Sequence, residues 1–599
     1  MSSYLETRAY ALPHKAATVP IVLPSTRRNG RIDTVKMVKM GNLTIRNLTI
    51  TPLELKEVER HEDPTKARKP NGLAKITARI TGKSNKSSPP APTAAAATDN
   101  LNGAAKEPGA ASKQDITDVH IQPFSEHETS IPLPDASKGE SLRLTFSEPG
   151  TPYTYSVSIP GPSPRSIVMK ANPPPQDQNQ DQQDQQDQQV PPSDREFTLI
   201  YMPHHSFLAI FSSAHLNRWM AELDPSYPLS ALSIPGTHNS PTCYVSLPSV
   251  RCQAVSVREQ LDNGVRFLDV RVSCPSPSSR SPSPTKTASP RLDTPDSIPG
   301  AYPISPTSTQ TETRTDTNPP APQPELSPQA PEPAYKDKTK APNLSLVHSA
   351  FPVALSGTRY FHDLLSECYA FLDANPSETL LMSIKREGTG RGTDQNLSTY
   401  MAARYLTPDR WYTKPEIPTL EQARGRIVLV RRFLLDPSLQ ASGMGIDGSV
   451  WPDNCADGTC GSETIRIQDY YEVGQTQHIE KKIGFAREQL MRAAQQVFVP
   501  PGMPGSEAAG GPLPLFINFL SGSNFFNASC WPEKIAAKIN PSMIEYLCMG
   551  HGAPQKQPGE LTVGDAGTGI VVTDWVGNSG DWDLIRCIVG WNARLQLRR

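Results

Sequence analysis

From Trp219 onward the chain repeats one pattern: a short apolar run, mostly β-branched, that stops on a polar or charged residue. Eight such runs can be read, at 231–234, 265–270, 345–347, 380–384, 427–430, 465–467, 515–519 and 570–573. Continuous apolar runs of this length suit strands covered on both faces. Several are separated by stretches with helical spacing. Residues 361–375 place Leu364, Leu365, Cys368, Phe371 and Leu372 on one face and stop before Pro376, and 485–497 and 534–547 look similar. Alternating strands and helices argue for a parallel sheet closed into a barrel. The expected fold is α/β, a distorted (β/α)8 barrel over 213–599.

The ends of the runs carry the chemistry. His238 follows the first, in Leu232-Ser-Ile-Pro-Gly-Thr-His-Asn-Ser240. Asp269 and Arg271 end the second, His348 the third, and Lys385 the fourth. Arg431 and Arg432 end the fifth, Asp469, Tyr470 and Tyr471 the sixth, and Asp574 the eighth. In such barrels, functional groups sit where the strands stop. One histidine alone reads as a satisfied structural residue, but this repetition points to an active site or its inactive descendant. Two histidines and an arginine form a kit for attacking a phosphodiester: one imidazole takes a proton, the other gives one, and the guanidinium holds the phosphate. Plainer readings stay open. Asp574 can cap a strand end, Arg431 and Arg432 can form surface ion pairs, and Tyr471 can be a packing aromatic. Trp451 is one of several core or rim aromatics, and Lys481-Lys482 reads as a solvated helix face.

Upstream the signal is β. Residues 42–50 are a β-rich run. Leu142, Leu144 and Phe146 alternate with polar residues, as do Tyr153, Tyr155, Val157 and Ile159, and the turn 148–152 joins the two into a hairpin. Strand-like pieces recur at 73–80, 119–121 and 196–200. The expectation is a disordered leader over 1–37, with Met37 or Met40 as alternative starts, then a small all-β domain over 38–212, read as a sandwich. Inserts at 83–114, 172–194 and 275–341 are rich in Pro, Ser, Ala or Gln/Asp and carry too little apolar surface to offset chain entropy. They hold 25 of the 62 prolines. The third lies between Arg271 and His348 and reads as a disordered loop inserted in a continuous barrel, since long loops cost little extra closure entropy.

A formal net charge of −1 predicts neither nucleic-acid binding nor strong attraction to an acidic membrane. The nine cysteines are scattered with no C-x-x-C pair, so no thiolate metal site is expected; buried free thiols are the simpler reading, with Cys455 and Cys460 able to bridge a loop. No basic start precedes an apolar core at Met1, and no run is long enough to span a membrane. The expected location is cytoplasmic or at a membrane surface.

The layout resembles the X-domain family of phosphatidylinositol-specific phospholipase C over about residues 215–599. The motifs are 233–240, Gln260-Leu-Asp-Asn-Gly-Val-Arg-Phe-Leu-Asp-Val-Arg271, Leu346-Val-His348, Ser383-Ile-Lys385, 424–433 and Gln468-Asp-Tyr-Tyr471, specific in this order. It is most similar to fungal phospholipase-C-like phosphodiesterases, which share the N-terminal Gly41-Asn-Leu-Thr-Ile-Arg-Asn-Leu-Thr49 segment. The resemblance implies a phosphoric diester hydrolase with transient membrane contact. It makes His238 the general base for the inositol 2-hydroxyl, Asp574 its orienting carboxylate, His348 the general acid and Arg271 the phosphate clamp. Lys385, Arg432, Asp469 and Tyr471 would hold the inositol ring, and Asp269 is a second acidic position beside Arg271. Asn239 stands where bacterial members have Asp. Animal and plant members have Asn there as a calcium ligand, but Arg271 occupies another calcium-ligand position and would repel the ion. The expectation is no metal and no cofactor. Two rivals remain: a metal-dependent glycerophosphodiester phosphodiesterase, and a catalytically inactive binder of lipid head groups.

Overall fold

The computed structural model describes residues 41–62, 112–161, 166–172, 195–276, 343–500, 512–553 and 563–597. The expected leader, the strand at 73–80 and most of the three inserts lie outside the described residues. Two insert edges are strands instead. Ser112–Ile121 is one strand, and Ile167–Asn172 is another.

The N-terminal strands are β1 (Asn42–Leu48), β2 (Leu53–His61), β3 (Ser112–Ile121), β4 (Ser125–Pro132), β5 (Ser141–Ser147), β6 (Thr154–Ile159), β7 (Ile167–Asn172), β8 (Glu196–Met202) and β9 (Phe207–Ser212). They hydrogen bond in the order β3-β2-β5-β6-β7-β8-β9-β1-β4. The period-2 alternation does what it predicts: Leu142, Leu144 and Phe146 lie opposite Ile159, Val157 and Tyr155, all turned into one core. Tyr155 meets Phe197 of β8 edge-on at 4.9 Å, and Asn47 of β1 donates to Ile121 O of β3 at 2.9 Å, so the strand path folds over its own core. β9 is buried on both faces. Leu208 and Ile210 enter the N-terminal core, while Ala209 and Phe211 enter the barrel's. On β1 the buried Arg46 reaches the other way, donating to Cys548 O (3.0 Å) and His551 O (2.8 Å) at the end of the helix Pro532–Met549. These strands tie the N-terminal sheet to the barrel.

The barrel strands are β10 (Ile234–Thr237), β11 (Phe267–Ser273), β12 (Ser345–His348), β13 (Phe351–Pro352), β14 (Leu380–Arg386), β15 (Trp411–Tyr412), β16 (Ile427–Arg432), β17 (Ile446–Asp447), β18 (Gly458–Cys460), β19 (Ile465–Gln468), β20 (Leu515–Phe519) and β21 (Ile570–Thr573). The central path β16-β14-β11-β10-β21-β20-β19 is parallel throughout. It curves far enough for Arg432, ending β16, to come within 3.9 Å of Asp469, just past β19. One of the eight expected staves fails. The run at 345–347 forms β12, which pairs antiparallel with β11 (Val272↔Leu346) and turns back through β13. An apolar run has no intrinsic direction, and with some 70 residues between β11 and β12 the chain is free to return antiparallel.

Candidate active site

Register builds the floor of the site. Arg271 lies opposite Lys385, and Lys385 opposite Arg432, so three adjacent parallel strands bring three cations to one level. Two residues earlier on β11, Asp269 is fully buried beneath them. Its carboxylate accepts from Arg271 Nε (3.2 Å) and Nη2 (3.1 Å), from Arg432 Nη1 (3.4 Å) and from the Asn239 backbone N–H (3.1 Å). Burial alone would raise its pKa; Arg271 and Arg432 hold it well below the carboxylate range instead. Glu387, just past β14, accepts from Arg271 Nη1 (2.7 Å), Lys385 Nζ (2.9 Å) and the Ser349 N–H (2.8 Å). Burial opposes ionisation there too, and Arg271 and Lys385 bring it down to about 2. A guanidinium has five N–H donors; the two carboxylates take three from Arg271, leaving two for an incoming anion. Arg432 stacks on Trp451, its Cζ 3.8 Å from the ring centroid, and the Trp451 indole donates to Asp469 at 3.0 Å.

The opposite wall carries the imidazoles. His238 follows β10, its backbone N–H donating to Thr573 O (2.9 Å). Its Nδ1 lies 3.0 Å from Asp574 Oδ1 at the end of β21. Burial disfavours its charge, but Asp574 and Cys252 outweigh that and hold its pKa well above the ordinary histidine value. Gln253 locks the pair by donating to His238 O (2.7 Å) and Thr573 O (3.0 Å). The His348 ring stands edge-on to His238 with centroids 5.6 Å apart, and its Nδ1 lies 2.8 Å from Val250 O. The buried Cys252 thiol lies 3.7 Å from the same nitrogen; burial would raise its pKa, yet His348 and His238 bring it to about 7.

His238, Arg271, His348, Lys385, Arg432, Asp469 and Tyr471 line one cavity of about 310 Å³. Asp574 and Asp269 lie directly behind the first layer. Tyr471 stands at the rim, about one-third exposed, and donates to Asp453 at 2.8 Å. Asn239 differs from its neighbours. It is fully buried in a left-handed conformation (φ 41°), and neither side-chain atom has a hydrogen-bond partner among the described residues. Arg431, beside Arg432, points away from the cavity. It is buried and paired with Asp447 at 2.8 Å, so neither arginine is a surface ion pair. Lys482 is not on a solvated face. It is wholly buried, donates to Gln468 at 3.0 Å, and burial lowers its pKa to about 7. Glu387, Cys252, Gln253 and Trp451 escaped the sequence reading as site residues. Only Glu387, two residues beyond Lys385, carried a signal that could have found it.

A family model described as phosphatidylinositol-specific phospholipase C, X domain, matches residues 225–433. This stretch is an X domain of that family. The X domain runs from just before β10 to just past β16 and contains His238, Asn239, Asp269, Arg271, His348, Lys385 and Arg432; Asp469, Tyr471 and Asp574 lie beyond it. A 1-phosphatidylinositol phosphodiesterase of Staphylococcus aureus (strain Newman) is 21% identical over 386 residues, covering 60% of this chain and 88% of that protein. One from Listeria monocytogenes is 24% identical over 232 residues, 37% of this chain and 50% of that protein. Among solved structures, a double mutant of the S. aureus phosphatidylinositol-specific phospholipase C aligns over 63% of this chain and 97% of its own with a TM-score of 0.40 and 19% identity. The L. monocytogenes enzyme aligns over 63% and 99% with a TM-score of 0.38 and 18% identity.

Proposed function

We propose that this chain is a phosphoric diester hydrolase that cleaves phosphatidylinositol or a related inositol phosphodiester. The observation that carries the reading is the meeting, in one cavity, of two imidazoles 5.6 Å apart with a row of three cations. His238, its Nδ1 held by Asp574, takes the proton of the inositol 2-hydroxyl, and that oxygen attacks phosphorus. His348 from the other side delivers a proton to the departing glycerol oxygen. The product is a cyclic inositol phosphate. Arg271 uses its two uncommitted N–H groups on the phosphate. Lys385, Arg432, Asp469 and Tyr471 present donors and acceptors to the ring hydroxyls. Asp269 positions Arg271 and Arg432 from below, and Asn239 acts only through its backbone bond to Asp269. The matched relatives, named as 1-phosphatidylinositol phosphodiesterases, support this assignment.

Substrate in a bilayer must be met at its surface. Phe351 and Phe525 on the cavity rim stack at 5.7 Å, and Phe526 beside them is 95% exposed. These rings make a shallow apolar contact with the interface while the cavity receives the head group. No described helix is long and apolar enough to cross a membrane. A metal-dependent phosphodiesterase needs carboxylates free to hold a cation, whereas Asp269 and Glu387 are both committed to Arg271.

The test is release of water-soluble inositol phosphate from labelled phosphatidylinositol vesicles in EDTA, with wild type and His348→Ala compared. Turnover in EDTA that disappears in the variant supports the reading. A folded wild type that releases nothing, with EDTA or with added calcium, overturns it and favours the head-group binder.

A further inference from the structure

Between the two imidazoles lies a third group that proton transfer does not use. One ring nitrogen of His238, one of His348 and the Cys252 sulfur all lie within 4.8 Å of one another. We propose that these three side chains form a binding site for a zinc-class ion, and that zinc is a reversible inhibitor of this chain.

The donor set is the argument. Two imidazoles and one thiolate suit zinc and its softer neighbours, and do not suit calcium or magnesium, which take oxygen ligands. Zinc–nitrogen and zinc–sulfur bonds of about 2.0 and 2.3 Å set ligand–ligand edges of roughly 3.3–3.8 Å in a tetrahedron. The Cys252–His348 separation of 3.7 Å already lies in that range. The other two separations are within 4.8 Å, so reaching a tetrahedral edge asks about 1 Å of movement at most.

The backbone holds the thiol in place. The Cys252 N–H donates to Thr242 Oγ1 (3.2 Å), and its carbonyl accepts from the Trp575 N–H (2.9 Å). The shell behind the ligands is also present. Asp574 Oδ1 lies 3.0 Å from His238 Nδ1, the carboxylate–histidine pairing that orients a ring toward a metal. An ion in this place releases to solvent the His348 Nδ1 proton directed at Val250 O and replaces that hydrogen bond. The fourth position opens into the cavity, because His238 and His348 both line it. Of the nearby charges, Asp574 favours the ion. Arg271 and Arg432, drawn off by Asp269, Glu387 and Asp469, stand on the other wall.

Inhibition rests on the function proposed above, since a bound ion ties up both imidazoles that the mechanism needs; occupancy of the site does not rest on it. The experiment has two arms on the full chain. Cobalt(II) replaces zinc as the spectroscopic probe, and wild type is compared with Cys252→Ser, all other cysteines in place. Expected are a thiolate-to-cobalt charge-transfer band and tetrahedral visible absorption in wild type, and loss of the band in the variant. In the second arm, zinc chloride lowers cleavage of phosphatidylinositol vesicles and excess EDTA restores it. Each protein is scored as activity with zinc over activity without, so a change in basal turnover cancels. Removing a ligand should weaken zinc inhibition by more than about tenfold, since even outer-shell partners are worth roughly 10–100-fold in metal affinity. A charge-transfer band that survives in Cys252→Ser, or equal zinc sensitivity in the two proteins, overturns the site. Cobalt binding through Cys252 without zinc inhibition overturns the inhibitory role alone. If the wild type turns over no lipid in EDTA, the hydrolase reading fails and the cobalt arm still decides the site. Circular dichroism checks folding, and Cys252→Ala substitutes if the serine variant does not fold.

Discussion

On one wall of the cavity Arg271, Lys385 and Arg432 share three carboxylates, Asp269, Glu387 and Asp469. On the other, His238 and His348 have a single carboxylate, Asp574, behind one of them. The cationic wall is cross-braced: each of its three cations is paired with at least one carboxylate, and Asp269 and Glu387 are held ionised. Such a wall changes little when a ligand arrives, which is what a fixed electrostatic platform requires. The imidazole wall keeps groups in reserve. Among the described residues, Asp574 Oδ2, Gln253 Oε1 and both side-chain atoms of Asn239 are buried there without partners, against Arg432 Nε among the cations. Polar groups left in reserve cost stability, and they cluster where protons move. The contrast separates a wall that holds charge still from the wall to which the proposed proton transfers are assigned.

The sharpest way to break this division is to remove an imidazole. His238→Ala and His348→Ala should each lower turnover about 10²–10⁴-fold while leaving binding of a soluble inositol phosphate nearly intact by calorimetry. Loss of binding in either variant would show that the walls are not separate. Next, Arg271→Lys keeps the charge but loses the fork that serves Asp269, Glu387 and a phosphate together. It should cost roughly 10²-fold in kcat/KM, with weaker inositol phosphate binding than the histidine variants show. Unchanged binding would detach Arg271 from the phosphate.

Glu387 gives a stability test of the braced wall. Its pKa is held at about 2, below the ordinary glutamate value. A depressed carboxylate stabilises the fold above its unfolded pKa, and that contribution is lost as pH falls toward 2. At neutral pH it amounts to about 3 kcal/mol at most. Urea unfolding of wild type and Glu387→Gln should therefore differ more at pH 7 than at pH 3, and an equal gap at both would mean that the bracing is worth little.

On the other wall the pH dependence runs through His238. A base must be neutral to accept a proton, and Asp574 raises the pKa of this ring. The acid limb of kcat/KM should lie above about 6.5, the unperturbed histidine value. Asp574→Asn should move it to lower pH while reducing the plateau; a limb that stays put would rule out Asp574 as the partner that matters. The smallest effect is expected at the rim. Phe526→Ser should weaken vesicle binding by about tenfold, of the order of burying part of one phenyl ring, with no change on a soluble substrate. Equal loss on both substrates would place Phe526 in head-group contact instead.

The sequence was legible wherever the chemistry is local. Parallel strands end at one rim, so reading the residue after each apolar run found His238, Arg271, Lys385, Arg432 and Asp574 without any knowledge of packing. The alternation in β5 and β6, with a turn between, specified a hairpin for the same reason: side-chain direction in a strand has a fixed period. Direction was not legible. The run containing His348 reads as one more barrel stave, yet it is an antiparallel strand, because only pairing with β11 sets its orientation.

Contact partners of distant residues were out of reach as well. Lys481 and Lys482 are identical as letters, but helix phase turns Lys481 onto Tyr470 and Phe485 and drives Lys482 into the interior against Gln468. Arg46 looks like one polar residue in a β run, and only docking of β1 on the barrel gives it the carbonyls of Cys548 and His551. Cys252 is one of nine scattered cysteines until β10, β12 and the segment 249–253 converge on the two imidazoles. The sequence by itself determined the alternation, the strand ends and the residue types at them, because those follow from backbone period and local polarity. The tertiary structure alone decided which carboxylate braces which cation, and that a thiol lies between the histidines, because those depend on contacts between residues tens to hundreds of positions apart.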